Sequence, residues 1–158
     1  MSAAAAPLSL SRPFILRPVA TSLLMLAIVL AGPHAEQDTR WDTLLNLGIA
    51  LTAAGRFDEA LPAIDEALTL ATRLLGPEHP HVALCLSARA NALRDAGRAD
   101  EAVASARSAL ALFERSYGPE HDEVLVQQTL LAEALVAAGR PGEALPFLAH
   151  AIAGWSGA

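Results

Sequence analysis

The sequence predicts an all-α protein in which a repeated pair of helices stacks into a solenoid. The first observation is composition: 35 of the 158 residues are alanine and 27 are leucine, which favour helices and are not typical of strands. Aromatic residues make up only 4% of the chain, which argues against a β-sandwich or barrel. A hydrophobic content of 53% argues against disorder.

The second observation is a repeat with a period of 42 residues. The segments that begin at Ala54, Ala96 and Ala138 each read Ala-Gly-Arg, two variable residues, Glu-Ala and an aliphatic residue. Gly-Pro-Glu-His occurs at 76–79 and 118–121, with the same step. Units of this kind bury their apolar faces only by stacking. We therefore expect three units, at 34–75, 76–117 and 118–158, with residues 1–33 set apart.

Residues 1–33 have the pattern of a secretory signal peptide. Arg12 and Arg17 precede an uncharged run at 19–31, which ends at Gly32-Pro33. The run is short for a membrane span, and a packing helix before the first repeat is the alternative. If 1–31 is a signal segment, the protein is exported or membrane-associated; otherwise it is cytoplasmic. Membrane contact is expected only through residues 14–31, if they are not cleaved.

The first unit shows how each helix pair is expected to form. Leu44, Leu47 and Leu51 recur at steps of three and four, so they line one face of a helix. Gly55 is expected to end that helix in the left-handed conformation. Asp58 is a good residue to start the next helix. Gly97 and Gly139 are equivalent to Gly55, and Asp100 is equivalent to Asp58, so the same signals recur in the later units.

The second helix of the unit is expected to end before Gly76-Pro77. Pro80 then suits the first position of a new helix. Because His79 and His121 occupy equivalent positions, we expect them to have a structural role at the turn between units. Small residues at helix crossings let two helices approach closely, and we assign that role to Ala60, Ala67, Ala90, Ala102, Ala109, Ala132, Ala144 and Ala151.

Each unit resembles a tetratricopeptide repeat. That motif places Leu-Gly, a bulky residue, Gly, Ala, a bulky residue and Ala at set offsets. The first unit matches with Leu47, Gly48, Leu51, Gly55, Ala60, Ile64 and Ala67. The period and the segment at 75–83 resemble the longer kinesin light chain type. The resemblance implies a right-handed superhelix whose groove, lined by the first helix of each unit, binds a peptide or protein partner.

The resemblance also suggests which residues face the groove. The main candidates are Asp42, Asn46, Ile49, Ser87, Asn91, Arg94, Thr129 and Glu133. Further positions on the same face are Leu45, Thr52, Leu84, Val126 and Val136. Asn91 and Arg94 have the chemistry to hold a peptide backbone or a carboxylate. An ordinary solvated helix face is the alternative.

Several function classes are not expected. Eleven basic residues against 17 acidic ones give a net charge of −6, which argues against a nucleic-acid partner. The absence of lysine excludes a Schiff base and a P-loop lysine. We expect Cys85 to be buried in the core, the histidines to hold no metal, and the Asp-Glu pair at 65–66 to be a solvated face. The protein is therefore predicted to be non-enzymatic and to use no cofactor.

Two alternatives to a groove-binding module remain. The chain is a fragment or subunit of a larger regulatory protein, or it is a self-associating structural module. The last helix carries Leu148, Ile152 and Trp155, and no polar capping helix follows it. A homodimer through the third unit would cover this apolar end.

Overall fold

The structure, a computed structural model, describes residues 34–156, with side chains from residue 40. This range contains six helices and no strand. They are α1 His34–Ala53, α2 Phe57–Leu75, α3 Pro80–Asp95, α4 Ala99–Tyr117, α5 Asp122–Ala137 and α6 Pro141–Ser156. The predicted signal peptide or packing helix at 1–33, and the membrane contact through 14–31, lie outside the described residues. No helix within 34–156 has the length and hydropathy to cross a membrane.

From residue 37 onward, the described residues belong to one compact unit, which holds the repeats. From α2 to α6, each helix packs against the next one in the chain, and α3 also contacts α5 directly. Trp41 and Leu45 of α1 pack with Ala67 and Ala71 of α2. Sequential packing of this kind is that of a solenoid, which confirms the predicted fold class.

Alanines lie where the helices cross, as the repeat predicts. Ala60, Ala67, Ala102 and Ala109 are fully buried, and the equivalent alanines of α6 are at most 1% exposed. Leu47, which we expected on the packed face of α1, is 49% exposed, whereas its counterpart Leu131 is 1% exposed. The difference arises because α4 precedes α5, while no helix precedes α1 in the described part of the chain.

The turn inside each unit is the same in all three copies. Gly55 has a φ of 72°, its N–H donates to the Thr52 carbonyl, and the Arg56 N–H donates to the Leu51 carbonyl. This pair of bonds is a Schellman motif. The next helix begins directly after Arg56. Asp58, which we expected to cap that helix, therefore lies in its first turn instead.

An arginine–glutamate clip follows each of these glycines. Arg56 donates to both carboxylate oxygens of Glu59, at 2.8 and 2.6 Å. Arg98 with Glu101, and Arg140 with Glu143, repeat this geometry. The hydrogen bonds from Arg98 lower the pKa of Glu101. Because these pairs are exposed, they orient the turn more than they stabilise the fold.

The turns between units confirm the structural role expected of the histidines. The Nδ1 of His79 accepts a hydrogen bond from the His81 N–H at 3.2 Å, and the Nδ1 of His121 accepts one from the Glu123 N–H at the same distance. Pro80 occupies the start of α3. Each histidine side chain therefore caps the first helix of the next unit.

The Asp-Glu pair at 65–66 is exposed, as expected, and it also forms ion pairs between helices. Arg89 Nε of α3 lies 2.8 Å from Asp65 Oδ1, and Arg40 of α1 lies 2.7 Å from Glu66 Oε1. The two carboxylates therefore connect α2 to the helices on either side of it. Sequence reasoning missed these pairs because their partners lie 24 and 26 residues away.

Cys85 is buried, as predicted. Its side chain is fully enclosed, with Trp41, Leu45 and Val82 in the same cluster. Burial, with a smaller contribution from the Asp42 carboxylate, raises the pKa of the thiol to about 11. The sulfur therefore stays protonated at neutral pH and acts as a small core residue.

Replacing Gly48 with alanine is expected to destabilise the first unit. The added Cβ would collide with Ile64 Cγ1 and lie 3.3 Å from the Ala60 carbonyl oxygen. Crowding of this kind costs about 1–3 kcal/mol, measured as a fall in the free energy of unfolding in urea. The matched control is Gly142→Ala, because no atom lies within 4 Å of its added Cβ. That change should leave the stability equal or slightly raised.

The loss should disappear in an Ile64→Ala background, since Ile64 is the side chain that the new Cβ meets. A double-mutant cycle measures this coupling. If Gly48→Ala is as stable as the wild type, α1 and α2 do not approach as closely as described.

Candidate partner-binding groove

A concave pocket of about 580 Å³ lies between the first helices of the first two units. On α1 its residues recur at helical steps, so one face of the helix is turned to the pocket. The lining residues are Asp42, Leu45, Asn46, Ile49, Thr52, Ala53, Leu84, Ser87, Ala88, Asn91 and Asp95.

Much of the pocket surface is apolar. Leu45 is buried at its base, while Ile49 and Leu84 are 49% and 39% exposed. Large aliphatic side chains left this open present apolar surface to a ligand, and pockets for ligands typically combine such surface with a few polar groups.

Two amides in the pocket are free to bind a ligand. Asn46 on α1 is exposed and Asn91 on α3 is half-buried. Neither side chain hydrogen-bonds to another residue in the described part of the chain. Each amide offers two N–H donors and one carbonyl acceptor, which is the set that a peptide backbone requires.

Ser87 lines the pocket but is only 8% exposed. Its Oγ lies 2.6 Å from Gln127 Oε1 of α5 and 3.0 Å from the Ala83 carbonyl oxygen. The hydroxyl therefore bonds within the protein, and it joins α3 to α5.

Arg94 does not line the pocket and is already paired. It forms an ion pair with Glu133 of α5 and another with Asp95, in which the nitrogen and oxygen are 3.1 Å apart. Two residues that the sequence placed in the groove, Arg94 and Glu133, thus bind each other. A guanidinium shared by two carboxylates is poorly placed to receive a third one from a ligand.

The third unit contributes nothing to the pocket lining. The Thr129 hydroxyl donates to the Leu125 carbonyl of its own helix at 3.1 Å, and Val126 and Val136 remain exposed. The pocket brings together five of the eight main candidates, namely Asp42, Asn46, Ile49, Ser87 and Asn91. It leaves out Arg94, Thr129 and Glu133.

Sequence reasoning missed Asp95 and Ala53 as lining residues. Asp95 stands four residues after Asn91 and occupies the repeat position of Ala53, so helical spacing alone would have placed it on the groove face.

The ring of His81 lies between two other aromatic rings. His81 lies with its ring centroid 4.7 Å from that of Trp41 and 5.0 Å from that of His79. Across residues 34–156, no group of three or more His, Cys, Asp or Glu side chains has the arrangement of a metal site.

Comparison with known proteins identifies the repeat. The family profile of the tetratricopeptide repeat matches residues 42–114 and 84–156. A crystal structure described as a kinesin light chain with nearly identical TPR-like repeats, from Podosopora anserina, is similar with a TM-score of 0.68 and 25% identity over 74% of this chain. A TPR-like protein from Chlorobium tepidum TLS is similar with a TM-score of 0.63 and 26% identity over 78% of this chain.

The match spans 56% of the Podosopora anserina chain and 83% of the Chlorobium tepidum chain. No curated protein matches this chain significantly. Because the two profile matches together run from residue 42 to residue 156, well over half of the sequence, the protein belongs to the tetratricopeptide repeat family, and its repeats are of the kinesin light chain type.

Proposed function

We propose that this protein is a non-enzymatic interaction module that binds an extended segment of a protein partner in the pocket between α1 and α3. The observation that carries the proposal is the pairing of open aliphatic side chains with two unbonded amides, Asn46 and Asn91. Apolar side chains of the partner bury against Ile49 and Leu84, and the amides bond to its backbone.

The state of the nucleophilic groups near the pocket supports a binding role over catalysis. The Ser87 hydroxyl is bonded to Gln127 and to its own helix, and no histidine lines the pocket. The Cys85 thiol is buried, with its pKa raised to about 11. A nucleophile without a base beside it is not activated.

Combining Asn46→Ala and Asn91→Ala is expected to weaken peptide binding by about tenfold, because two hydrogen bonds of about 0.5–1.5 kcal/mol each are lost. The probe is the peptide most enriched from a random phage-displayed library on the wild-type protein. It is labelled and titrated by fluorescence anisotropy. The control is Ser108→Ala, which removes an exposed hydroxyl on α4 and should leave the Kd unchanged.

Circular dichroism checks that all variants remain folded. The proposal fails if the library yields no binder, or if the amide double variant binds the selected peptide as tightly as the wild type does.

A second candidate role is self-association through an apolar surface on α6. We call Leu145, Ile152 and Trp155 the C-terminal face; they are 66%, 63% and 50% exposed. Their counterparts one repeat earlier are buried in the core, at Val103, Leu110 and Phe113. Leu148, which the sequence also suggested for this surface, packs against the core instead.

A second copy of the chain would supply the missing cover for the C-terminal face. The other source of cover is further protein, as in a subunit or segment of a larger regulatory protein. The chain's span of 56% of the Podosopora anserina protein is compatible with that reading.

Light scattering after size-exclusion chromatography distinguishes self-association from burial of the C-terminal face against other protein. Self-association predicts a dimer mass for the wild type and a monomer mass for Ile152→Glu, because a buried carboxylate at the contact would be unpaired. The control is Leu47→Glu, which places the same charge at an exposed leucine of α1 and should leave the dimer intact. A wild-type protein that stays monomeric at high concentration rules out the dimer and favours the larger assembly.

A further inference from the structure

The groove carries more negative than positive charge. Asp42 and Asp95 line the pocket, and Glu133 stands beside it on α5. The cation among them is Arg94, which is shared between Asp95 and Glu133. Three carboxylates against one guanidinium leave a formal charge of −2, so the local charge has the same sign as that of the whole chain.

The two pocket-lining carboxylates, Asp42 and Asp95, differ in how neighbouring positive charge compensates them. Asp42 is exposed and has no ion-pair partner in the part of the chain that the structure describes. Asp95 shares Arg94 with Glu133, and these three groups together carry one net negative charge. The remaining arginines of the first helices are paired elsewhere, Arg40 with Glu66 and Arg89 with Asp65. Arg40 and Arg89 therefore do not compensate the negative charge of the groove.

The repeat register gives the spacing between the two positions. Asp95 is equivalent to Ala53, eleven residues after Asp42. Since an α-helix rises 1.5 Å per residue, the two positions are offset by roughly 16 Å along the helix direction. A peptide that runs in this direction covers the offset in about five residues, and the long side chains of Lys or Arg reach sideways toward the carboxylates on α1 and α3. Ile49 and Leu84 line the same pocket as the two carboxylates.

We infer that the partner segment is basic: an extended peptide with two Lys or Arg residues about five positions apart and aliphatic residues between them. This inference rests on the proposed function. The cations pair with Asp42 at one end and with the Asp95, Arg94 and Glu133 group at the other. A ligand that covers Asp42 removes water from it, so a ligand that supplies a positive charge in return is favoured over a neutral or acidic one. An acidic segment meets like charge at both ends.

Three peptide libraries of equal length test the charge preference. All have aliphatic residues at the centre and random flanks, and they differ only at two fixed positions five apart, which are both Arg, both Gln or both Glu. We expect the Arg library to be retained on the immobilised protein at least tenfold more than the other two. The best Arg peptide should bind severalfold more weakly in 0.5 M NaCl, because salt screens exposed charges.

Two matched variants locate the effect. Asp42→Asn should reduce the affinity for the best Arg peptide by about three- to tenfold. It should also reduce the difference in affinity between that peptide and the same peptide with Gln at the two fixed positions. Glu114→Gln removes an exposed carboxylate of α4 outside the groove and should change neither value. This control subtracts any effect of net charge alone.

The outcomes separate the two proposals. If the Gln or Glu library binds as well as the Arg library, or if Asp42→Asn has no more effect than Glu114→Gln, the groove binds peptides but the basic partner is wrong. If none of the three libraries is retained, the proposed function itself fails.

Discussion

The structure depends on the close approach of helices at small residues. Alanines such as Ala60, Ala102 and Ala109 are fully buried at the crossings, and Gly48 leaves no room for a Cβ beside Ile64. A larger side chain at such a point would push two helices apart. Because the same small residues return every 42 positions, the close helix crossings recur in each unit, and the stack follows from this repeated packing.

The same register places the groove. When helices stack in phase, the outward faces of their first helices align, so Asn46 and Asn91 come to line one pocket although they are 45 residues apart in the chain. The pocket forms between α1 and α3. Between α3 and α5, polar contacts fill the corresponding space, since Ser87 bonds to Gln127 and Arg94 pairs with Glu133. The third unit therefore supports the groove without lining it.

The sequence predicted features that depend on near neighbours or on the repeat register, and it missed contacts between residues far apart in the chain. The helix end at Gly55 follows from neighbours within a few residues and was predicted. The repeat register predicted the buried crossing alanines and a structural role for His79 at the turn between units, although not that His79 caps a helix. Five of the main groove candidates lie together because they follow from the repeat register. Asp58 was misplaced as a cap because the helix starts earlier, where the Arg56 carbonyl accepts hydrogen bonds from the Glu59 and Ala60 N–H groups.

The remaining misses involve partners far apart in the chain. Ser87 bonds to Gln127, which is 40 residues away in the chain, and Arg94 pairs with Glu133, which is 39 residues away. Which side chains meet across two units depends on the rotation between those units, and no local pattern in the sequence specifies it. The groove is consequently more acidic than the sequence alone indicated, since Arg94 is shared between Asp95 and Glu133.

The most direct test of close helix approach is to compare Ala109→Leu with Ala111→Leu in urea. The first residue is fully buried at a crossing of α4 and the second is exposed on the same helix. The account predicts that Ala109→Leu lowers the free energy of unfolding by about 1–3 kcal/mol and that Ala111→Leu changes it by less than about 0.5 kcal/mol. Equal stability of the two variants would contradict it.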